Sequence, residues 1–417
     1  MNYNHLFLNA SVDLDLIQKE IPTQRFVEVT LRAPAARQNS VRSPLNLALV
    51  IDRSGSMHGE KLMYVIQAAC YVIDLLDQND SISVVVFDHQ VNVLSPAVPA
   101  SRENTQLLKE RLHHLTPGGN TNLSGGWLTG CQLAAEMTRP GCLNRVFLLT
   151  DGMANEGITQ PEELALHSGQ LRQRGITTST FGVGEGFNEH LLEQMANEGG
   201  GMFSYIANPT SIPAVFTREL RELFAITARN LELDITLPPQ VSASIPGAWK
   251  TQKTAGGLRV ILGDLAANME HTLYVELITP PMGTKNHLVI DLKARAAGEQ
   301  DMLLEAYCTI ALRYESAAAV REKPVNQDLM RRLSRVRLAE AANESLKMER
   351  LGRRSAAKAA LEHTLAAAAP YLDPATANEY RDLSSQMENG LREDQRKERQ
   401  YRDYLRRRGR EDRDSQP

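Results

Sequence analysis

The pattern of hydrophobic and polar positions changes most sharply within residues 45–62, LNLALVIDRSGSMHGEKL. An apolar run ends at Asp52, and small polar residues follow at alternate positions. A continuous apolar run of this length is typical of a strand buried on both faces of a parallel sheet. Gly55 allows a tight turn, and the apolar spacing that begins at Leu62 predicts a helix with one apolar face. The segment therefore predicts a strand, a polar loop and a helix.

Strand and helix patterns alternate from this segment to about Ala225, which predicts a doubly wound α/β domain with a mostly parallel sheet over residues 44–227. The further predicted strands are 82–87, 91–98, 145–151, 177–183 and 202–206, and the further predicted helices are 102–115, 125–137, 161–174, 188–197 and 212–225. In open sheets of this kind, ligands bind just outside the carboxyl ends of the strands. The loop after the first strand is therefore a candidate functional site.

Both flanks of this domain show the two-residue period of half-buried strands. Residues 6–17 and 25–32 alternate before the domain, and the further strand patterns after it are 231–237, 258–262, 272–278, 287–292 and 303–312. Strands this short, separated by Pro and Gly, favour an antiparallel β-sandwich. We expect residues 1–43 and 228–318 to form one sandwich, into which the α/β domain is inserted.

The composition shifts to Ala, Arg, Glu and Leu from Pro324 onward. An apolar stripe predicts a long helix from Leu329 to about Ala369, and Pro370 ends it. Asp373 followed by a proline is a helix start, so residues 319–417 predict a C-terminal α-helical hairpin. The arginine-rich stretch at 391–414 is interspersed with acidic residues, which favours a solvated helix with internal ion pairs over nucleic-acid or acidic-membrane binding.

Length and charge limit the class of protein. A chain of 417 residues is too long for one ordinary core, and its formal net charge of −4 argues against a dedicated nucleic-acid binder. The first residues lack the basic start and apolar core of a secretory signal, and no apolar run is long enough to span a bilayer. The four cysteines have no C-x-x-C spacing. These features predict a cytoplasmic protein without a membrane partner.

The loop after the first strand offers only hard oxygen ligands. Asp52, Ser54 and Ser56 supply one carboxylate and two hydroxyls, without a thiolate or an imidazole. Such ligands select hard cations such as Mg²⁺, which also retains water in its shell. The alternative interpretation is that these residues only cap the helix or form a turn.

Two later stretches favour the metal site. The glycine-rich segment 117–126, PGGNTNLSGG, carries Thr121, and the strand 145–151, RVFLLTD, ends at Asp151. Each is predicted beside the carboxyl end of a strand, where loops of a parallel sheet meet. The three loops together would supply two carboxylates and three hydroxyls.

These motifs resemble those of von Willebrand factor type A domains, whose fold is Rossmann-like. The D-x-S-x-S signature stands at Asp52, Ser54 and Ser56, the threonine of the G-G-x-T context is Thr121, and the aspartate of the T-D-G context is Asp151. The resemblance implies a metal-ion-dependent adhesion site holding Mg²⁺, with Mn²⁺ or Ca²⁺ as alternatives. It also implies that an Asp or Glu of a partner protein fills a vacant coordination position.

Three functions are compatible with this pattern. The first, favoured here, is a metal-dependent protein-binding adaptor that is not an enzyme. The second is a Mg²⁺-dependent phosphotransferase or hydrolase with Asp52 as nucleophile. Such enzymes usually carry a second carboxylate two residues on, where this chain has Ser54, and no nearby lysine is evident from the sequence. His58 at the helix start is more typical of a surface residue than of a base.

The third function is a metal-indifferent scaffold that binds through the sandwich or the hairpin. By resemblance to intracellular relatives, either an adaptor or a scaffold could work beside an AAA-type ATPase. The chain has no G-x-x-x-x-G-K-[ST] motif, so a partner would have to hydrolyse ATP. A free sandwich edge or the hairpin could also mediate self-association.

Overall fold

The computed structural model describes residues 5–36 and 42–410. Its strands are β1 Phe7–Val12, β2 Leu16–Gln18, β3 Thr23–Arg32, β4 Leu45–Asp52, β5 Ser81–Phe87, β6 Val91–Pro99, β7 Leu143–Thr150, β8 Ile176–Val183, β9 Gly200–Ile206, β10 Ile226–Thr236, β11 Ser242–Ser244, β12 Lys250–Thr254, β13 Gly257–Ala266, β14 Glu270–Thr279, β15 His287–Ala297 and β16 Leu303–Glu315. Its α-helices are α1 Glu60–Leu75, α2 Arg102–His113, α3 Leu123–Glu136, α4 Pro161–Gln173, α5 Glu189–Gly199, α6 Ile212–Phe224, α7 Ala317–Glu322, α8 Gln327–Arg350, α9 Arg354–Ala368, α10 Pro374–Asn389 and α11 Glu393–Arg407.

The described chain divides into two compact units. One contains residues 42–226 with 299–301, and the other contains residues 5–36, 227–298 and 302–410. The predicted division into four parts, with separate sandwich and helical domains, stays a prediction. Among the described residues, no helix combines the length and the apolar character that crossing a membrane requires.

The first unit is the predicted doubly wound α/β fold, which is confirmed. Its six-stranded sheet has the order β6-β5-β4-β7-β8-β9, with β6 antiparallel and the other strands parallel. Leu49 of β4 packs in the core that includes Val65 of α1. Val50 faces the other way, because a Cβ on Gly130 of α3 would lie 2.3 Å from its Cγ2. Helices thus cover both faces and leave the carboxyl edge open.

The second unit contains two sheets around one hydrophobic core. Their strand orders are β1-β3-β14-β11 and β12-β13-β10-β15-β16-β2. Val29 of β3 and Leu273 of β14 share the core with Leu233 of β10 and Leu292 of β15. Strand β3 pairs with β14 along their whole length. Strands from before and after the α/β unit therefore pair with one another in a sandwich.

The N-terminal strand predicted over residues 6–17 is wrong in one respect, because it is interrupted. Strand β1 ends at Val12, and β2 begins at Leu16 in the other sheet. The interruption falls at Asp13, a buried residue whose carboxylate accepts a hydrogen bond from the Phe26 N–H at 2.7 Å. A polar side chain turned inward to satisfy a backbone donor breaks the expected alternation.

The C-terminal helices are confirmed, but the single long helix predicted to Ala369 is wrong. It is two helices, because Gly352 adopts a left-handed conformation with φ of +76° and ends the first of them. The predicted cap at Asp373 is present, since its carboxylate accepts from the Thr376 N–H at 2.9 Å. With α11 included, four long helices stand where a two-helix hairpin was predicted.

The arginine-rich stretch forms the predicted helix with internal ion pairs, but the prediction that this helix is solvated is wrong. Helix α11 buries Asp403 and Tyr404 completely, and Lys397 is 1% exposed. The reason is that its charges pair with those of a neighbouring helix as well as along α11 itself. Arg406, for example, donates to Glu379 of α10 at 2.8 Å. The mixture of acidic and basic residues in this stretch thus reflects ion pairs within α11 and the packing of α11 against α10.

Candidate metal centre

Backbone hydrogen bonds hold two loops of the candidate site together at the carboxyl end of the parallel strands. The Gly55 N–H donates to the Gly119 carbonyl at 3.0 Å, and the Gly118 N–H donates to the Arg53 carbonyl at 2.7 Å. No side chain fits at Gly118, because a Cβ there would lie 1.8 Å from Oδ2 of Asp88. The glycines therefore let the glycine-rich loop approach the loop after β4.

Asp52, the last residue of β4, is fully buried. Its Oδ1 accepts from the Ser54 N–H at 2.7 Å, and its Oδ2 accepts from the Thr150 hydroxyl at 2.5 Å. Burial raises the pKa of Asp52 to about 6 against the lowering effect of these hydrogen bonds, and the charge of Asp151 adds to the rise. The surrounding protein thus stabilises this carboxylate poorly, which favours a cation beside it.

Asp151 follows β7 and is also fully buried. Its Oδ1 accepts a hydrogen bond from the Ser56 hydroxyl at 2.6 Å, and its Oδ2 accepts one from the Lys61 ammonium. The hydroxyl oxygens of Ser54 and Ser56 lie 3.2 Å apart. The D-x-S-x-S loop is therefore joined to the loop after β7 through side chains.

Gly152 marks the place where the three loops meet. A Cβ on this residue would lie 3.2 Å from the Thr121 hydroxyl oxygen and 3.6 Å from both Oδ2 of Asp52 and the Ser56 hydroxyl oxygen. The absence of a side chain at Gly152 leaves room beside these three oxygens. Thr121 belongs to the glycine-rich loop, Ser56 to the loop after β4, and Asp52 to the end of β4. Thr121 itself is held by its carbonyl, which accepts from the Asn155 N–H at 3.1 Å.

The donor set fits a hard divalent cation. Mg²⁺ prefers about six oxygens at roughly 2.1 Å and keeps some of its waters, and Mn²⁺ and Ca²⁺ also take oxygen ligands. Among the described residues, no group of three or more His, Cys, Asp or Glu side chains could hold a metal, so a site here depends on hydroxyls. The structure brings together all five candidate residues, Asp52, Ser54, Ser56, Thr121 and Asp151. Their role as ligands stays a prediction.

Of the five residues in this cluster, Ser56 is the exposed one. Asp52 and Asp151 are fully buried, Ser54 and Thr121 are 2% and 3% exposed, and Ser56 is exposed. A cation held by these groups would be anchored from within the fold and open on the side of Ser56. That is the arrangement in which an outside ligand can complete a coordination shell.

Sequence reasoning missed two residues of this site. Thr150 donates to Asp52, and its signal was its position directly before Asp151 at a strand end. Lys61 pairs with Asp151, so the expectation of no nearby lysine is wrong. Lys61 lies in the first turn of α1, which starts from the loop after β4, and that position was the available signal.

The comparisons with known proteins concern the domain and its fold. Residues 46–218 match the model of the von Willebrand factor type A domain. Among curated relatives, the Synechocystis sp. protein sll0103 is 29% identical over 314 residues, covering 70% of this chain and 73% of that protein. Escherichia coli YfbK is 28% identical over 247 residues, covering 56% of this chain and 41% of YfbK. Bovine inter-alpha-trypsin inhibitor heavy chain H4 is 32% identical over 167 residues, covering 38% of this chain but only 18% of its own length.

Two solved structures resemble nearly the whole chain in fold. A von Willebrand factor type A protein from Catenulispora acidiphila has a TM-score of 0.70 at 16% identity, covering 94% of this chain and 98% of its own. The ArnB paralog VWA2 from Sulfolobus acidocaldarius has a TM-score of 0.64 at 15% identity, covering 97% and 99%. At these identities the likeness concerns fold alone. The family match shows that this chain contains a von Willebrand factor type A domain, and the curated matches show that it has bacterial relatives.

Proposed function

We propose that this protein is a metal-dependent adaptor, in which a divalent cation bound at the sheet edge is completed by an Asp or Glu of a partner protein. Domains of this family are generally protein-interaction modules. The observation that carries the proposal is the convergence of Thr121, Asp52 and Ser56 oxygens beside Gly152. Mg²⁺ is the proposed ion, and Mn²⁺ or Ca²⁺ would use the same oxygens.

The environment of the carboxylates supports this proposal. Two fully buried acids lie at one loop cluster, and burial together with the charge of Asp151 raises the pKa of Asp52. A bound Mg²⁺ would supply positive charge there, held by Asp52, Asp151 and the three hydroxyls. The exposed side at Ser56 would then admit a carboxylate, and losing such a charge-assisted contact costs on the order of 2 to 5 kcal/mol of binding free energy.

The phosphotransferase alternative has less support. Lys61 does supply the cation that the sequence analysis did not find. Both oxygens of Asp52, however, accept hydrogen bonds within the fold, and the carboxylate has no exposed surface. A nucleophile needs an oxygen that can approach phosphorus. We therefore propose a binding function rather than an enzymatic one, with an AAA-type ATPase among the candidate partners.

Metal binding by substituted proteins tests the proposal. Thr121→Val keeps the side-chain shape and removes one oxygen, so we expect Mn²⁺ affinity to fall by roughly tenfold or more. Asp52→Ala removes a charge and should abolish detectable binding. Titration calorimetry with Mg²⁺ and electron paramagnetic resonance with Mn²⁺ would measure both. Asp74→Ala is the matched control, because Asp74 is exposed and pairs with Lys109 instead.

Partner capture tests the second half of the proposal. Immobilised wild type with Mg²⁺ should retain partners that are lost in EDTA and lost with Asp52→Ala, whereas Asp74→Ala should retain them. Partners that persist in EDTA and with Asp52→Ala would contradict the adaptor mechanism and favour the metal-indifferent scaffold.

A further inference from the structure

Lys61 provides a positive charge inside the candidate metal centre. Its ammonium donates to Oδ2 of Asp151 and lies 3.3 Å from the Ser56 carbonyl oxygen. Its side chain is 30% exposed, while that of Asp151 is fully buried. The end of the lysine chain also passes the loop after β8, since a Cβ on Gly184 would lie 3.5 Å from its Cε. Lys61 therefore contacts the loops after β4 and β7 and lies close to the loop after β8.

The charges at the site can be counted from these contacts. Asp52 and Asp151 carry two negative charges when ionised, and the Lys61 ammonium contributes one positive charge. The cluster without a metal therefore has a net charge of −1. Adding a divalent cation changes the net charge to +1. With a neutral residue in place of Lys61, the loaded site would instead have no net charge.

We propose that Lys61 sets the ligand class of this site: it weakens metal binding and leaves the loaded site with one excess positive charge, so that a single carboxylate of the partner is preferred. This inference rests on the proposed function, because it concerns the same site. One monocarboxylate neutralises the loaded site with Lys61 present. Without Lys61, the same carboxylate would leave a buried negative charge.

The size of the effect of Lys61 on metal affinity follows from the Coulomb repulsion between its ammonium and a bound cation in a partly buried site. Even at an effective dielectric of about 20, a unit charge a few ångströms from a divalent ion changes the affinity for that ion by roughly tenfold or more, although solvent and salt screen part of the effect. Lys61 also occupies an oxygen of Asp151 that a cation would otherwise attract. Both effects act in the same direction, so removing the ammonium should strengthen metal binding.

Four single-substitution variants of the full chain test this inference. Lys61→Met and Lys61→Gln remove the charge, and Lys61→Arg keeps it. Lys109→Met is the matched control, because Lys109 is also 30% exposed and also pairs with an aspartate, Asp74, but that aspartate is 59% exposed. Electron paramagnetic resonance would give the Mn²⁺ affinity, and NMR titration of the Mg²⁺-loaded proteins with acetate would give the affinity for a carboxylate.

We expect Lys61→Met and Lys61→Gln to bind Mn²⁺ roughly tenfold or more tightly than wild type, and to bind acetate roughly tenfold more weakly. Lys61→Arg and Lys109→Met should resemble wild type in both measurements. Two neutral variants are used so that a folding defect in one does not decide the outcome.

Two kinds of contrary result are distinguishable. Unchanged or weaker Mn²⁺ binding by the neutral variants would show that Lys61 only supports Asp151, and unchanged acetate binding would show that it does not select the ligand. Either result overturns this inference and leaves the metal site intact. Wild-type protein that binds neither Mn²⁺ nor Mg²⁺ would overturn the proposed function, and the role of Lys61 with it.

Discussion

Asp52 at the sheet edge and Glu379 in α10 are both acidic residues largely shielded from water, yet their pKa values move in opposite directions. Burial raises the pKa of Asp52 to about 6. Burial would also raise the pKa of Glu379, but the hydrogen bond from Arg406 and the charges of Arg399 and Arg406 together lower it to about 2. The two regions differ in how many basic groups contact each acid.

The acids of the C-terminal helices are matched by arginines. Glu379 accepts from Arg399 at 2.6 Å, from Arg402 at 3.2 Å and from Arg406 at 2.8 Å. Asp403, which is fully buried, accepts two hydrogen bonds of 2.8 Å from Arg399. At the candidate metal centre, by contrast, Lys61 contacts Asp151, and the hydrogen bonds that Asp52 accepts come from two neutral donors. Carboxylates that pair with arginines of a neighbouring helix hold the helices together, whereas a buried carboxylate without a basic partner in contact can bind a cation.

The largest expected effect is on the helical side of this comparison. Asp403→Ala removes one of the two carboxylates that pair with the buried Arg399 guanidinium, and it removes the acceptor of the Tyr380 hydroxyl. We expect a loss of about 3 to 5 kcal/mol in unfolding free energy, because Asp403 is fully buried and its removal leaves part of the desolvation cost of Arg399 uncompensated. Urea unfolding followed by far-UV circular dichroism would measure it.

Asp394→Ala is the control on the same helix, since its pair with Arg392 is largely exposed. Such a pair contributes less than about 1 kcal/mol. Equal losses of unfolding free energy for Asp403→Ala and Asp394→Ala would contradict this prediction, because the buried cluster would then stabilise the fold no more than an exposed ion pair does.

Acidification should destabilise the C-terminal helices at a lower pH than the ordinary pKa of a glutamate would indicate. The folded pKa of Glu379 lies below its ordinary value of 4.5, so its contribution is complete above pH 4.5 and is lost as pH falls toward 2. Its side chain is 23% exposed, which screens part of the effect, and we expect about 2 to 3 kcal/mol. Glu379→Gln should start less stable at neutral pH and lose less on acidification.

The metal-free sheet edge should respond to acid with the opposite sign. The folded pKa of Asp52 lies above its ordinary value of 3.8, so its contribution to stability is complete below 3.8 and is lost as pH rises through about 6. In EDTA, lowering the pH from 7 to 5 should therefore stabilise the α/β unit by about 1 kcal/mol. Thermal unfolding would show this as a rise in the melting temperature that Asp52→Asn lacks. An equal rise in Asp52→Asn would assign the effect to other groups.

Several features were predictable because they depend on local patterns. The apolar run before Asp52 determines a strand buried on both faces, and the period-two segments determine strands with one buried face. The cap at Asp373 follows from its own side chain and the proline after it. The division of the long C-terminal helix depended on the left-handed conformation of Gly352, a residue that an interior helical pattern also tolerates.

The strand–loop–helix order, the doubly wound fold and the five oxygen-bearing residues of the candidate site could be predicted from residue types and hydrophobic period, because these act over short distances along the chain. Which charged side chains come into contact could be seen in the folded structure alone. Lys61 reaches Asp151, 90 positions later, and Arg399 reaches Glu379 of another helix. Such contacts depend on how loops and helices pack, and the balance between burial and nearby charge determines whether an acid binds a cation or an arginine.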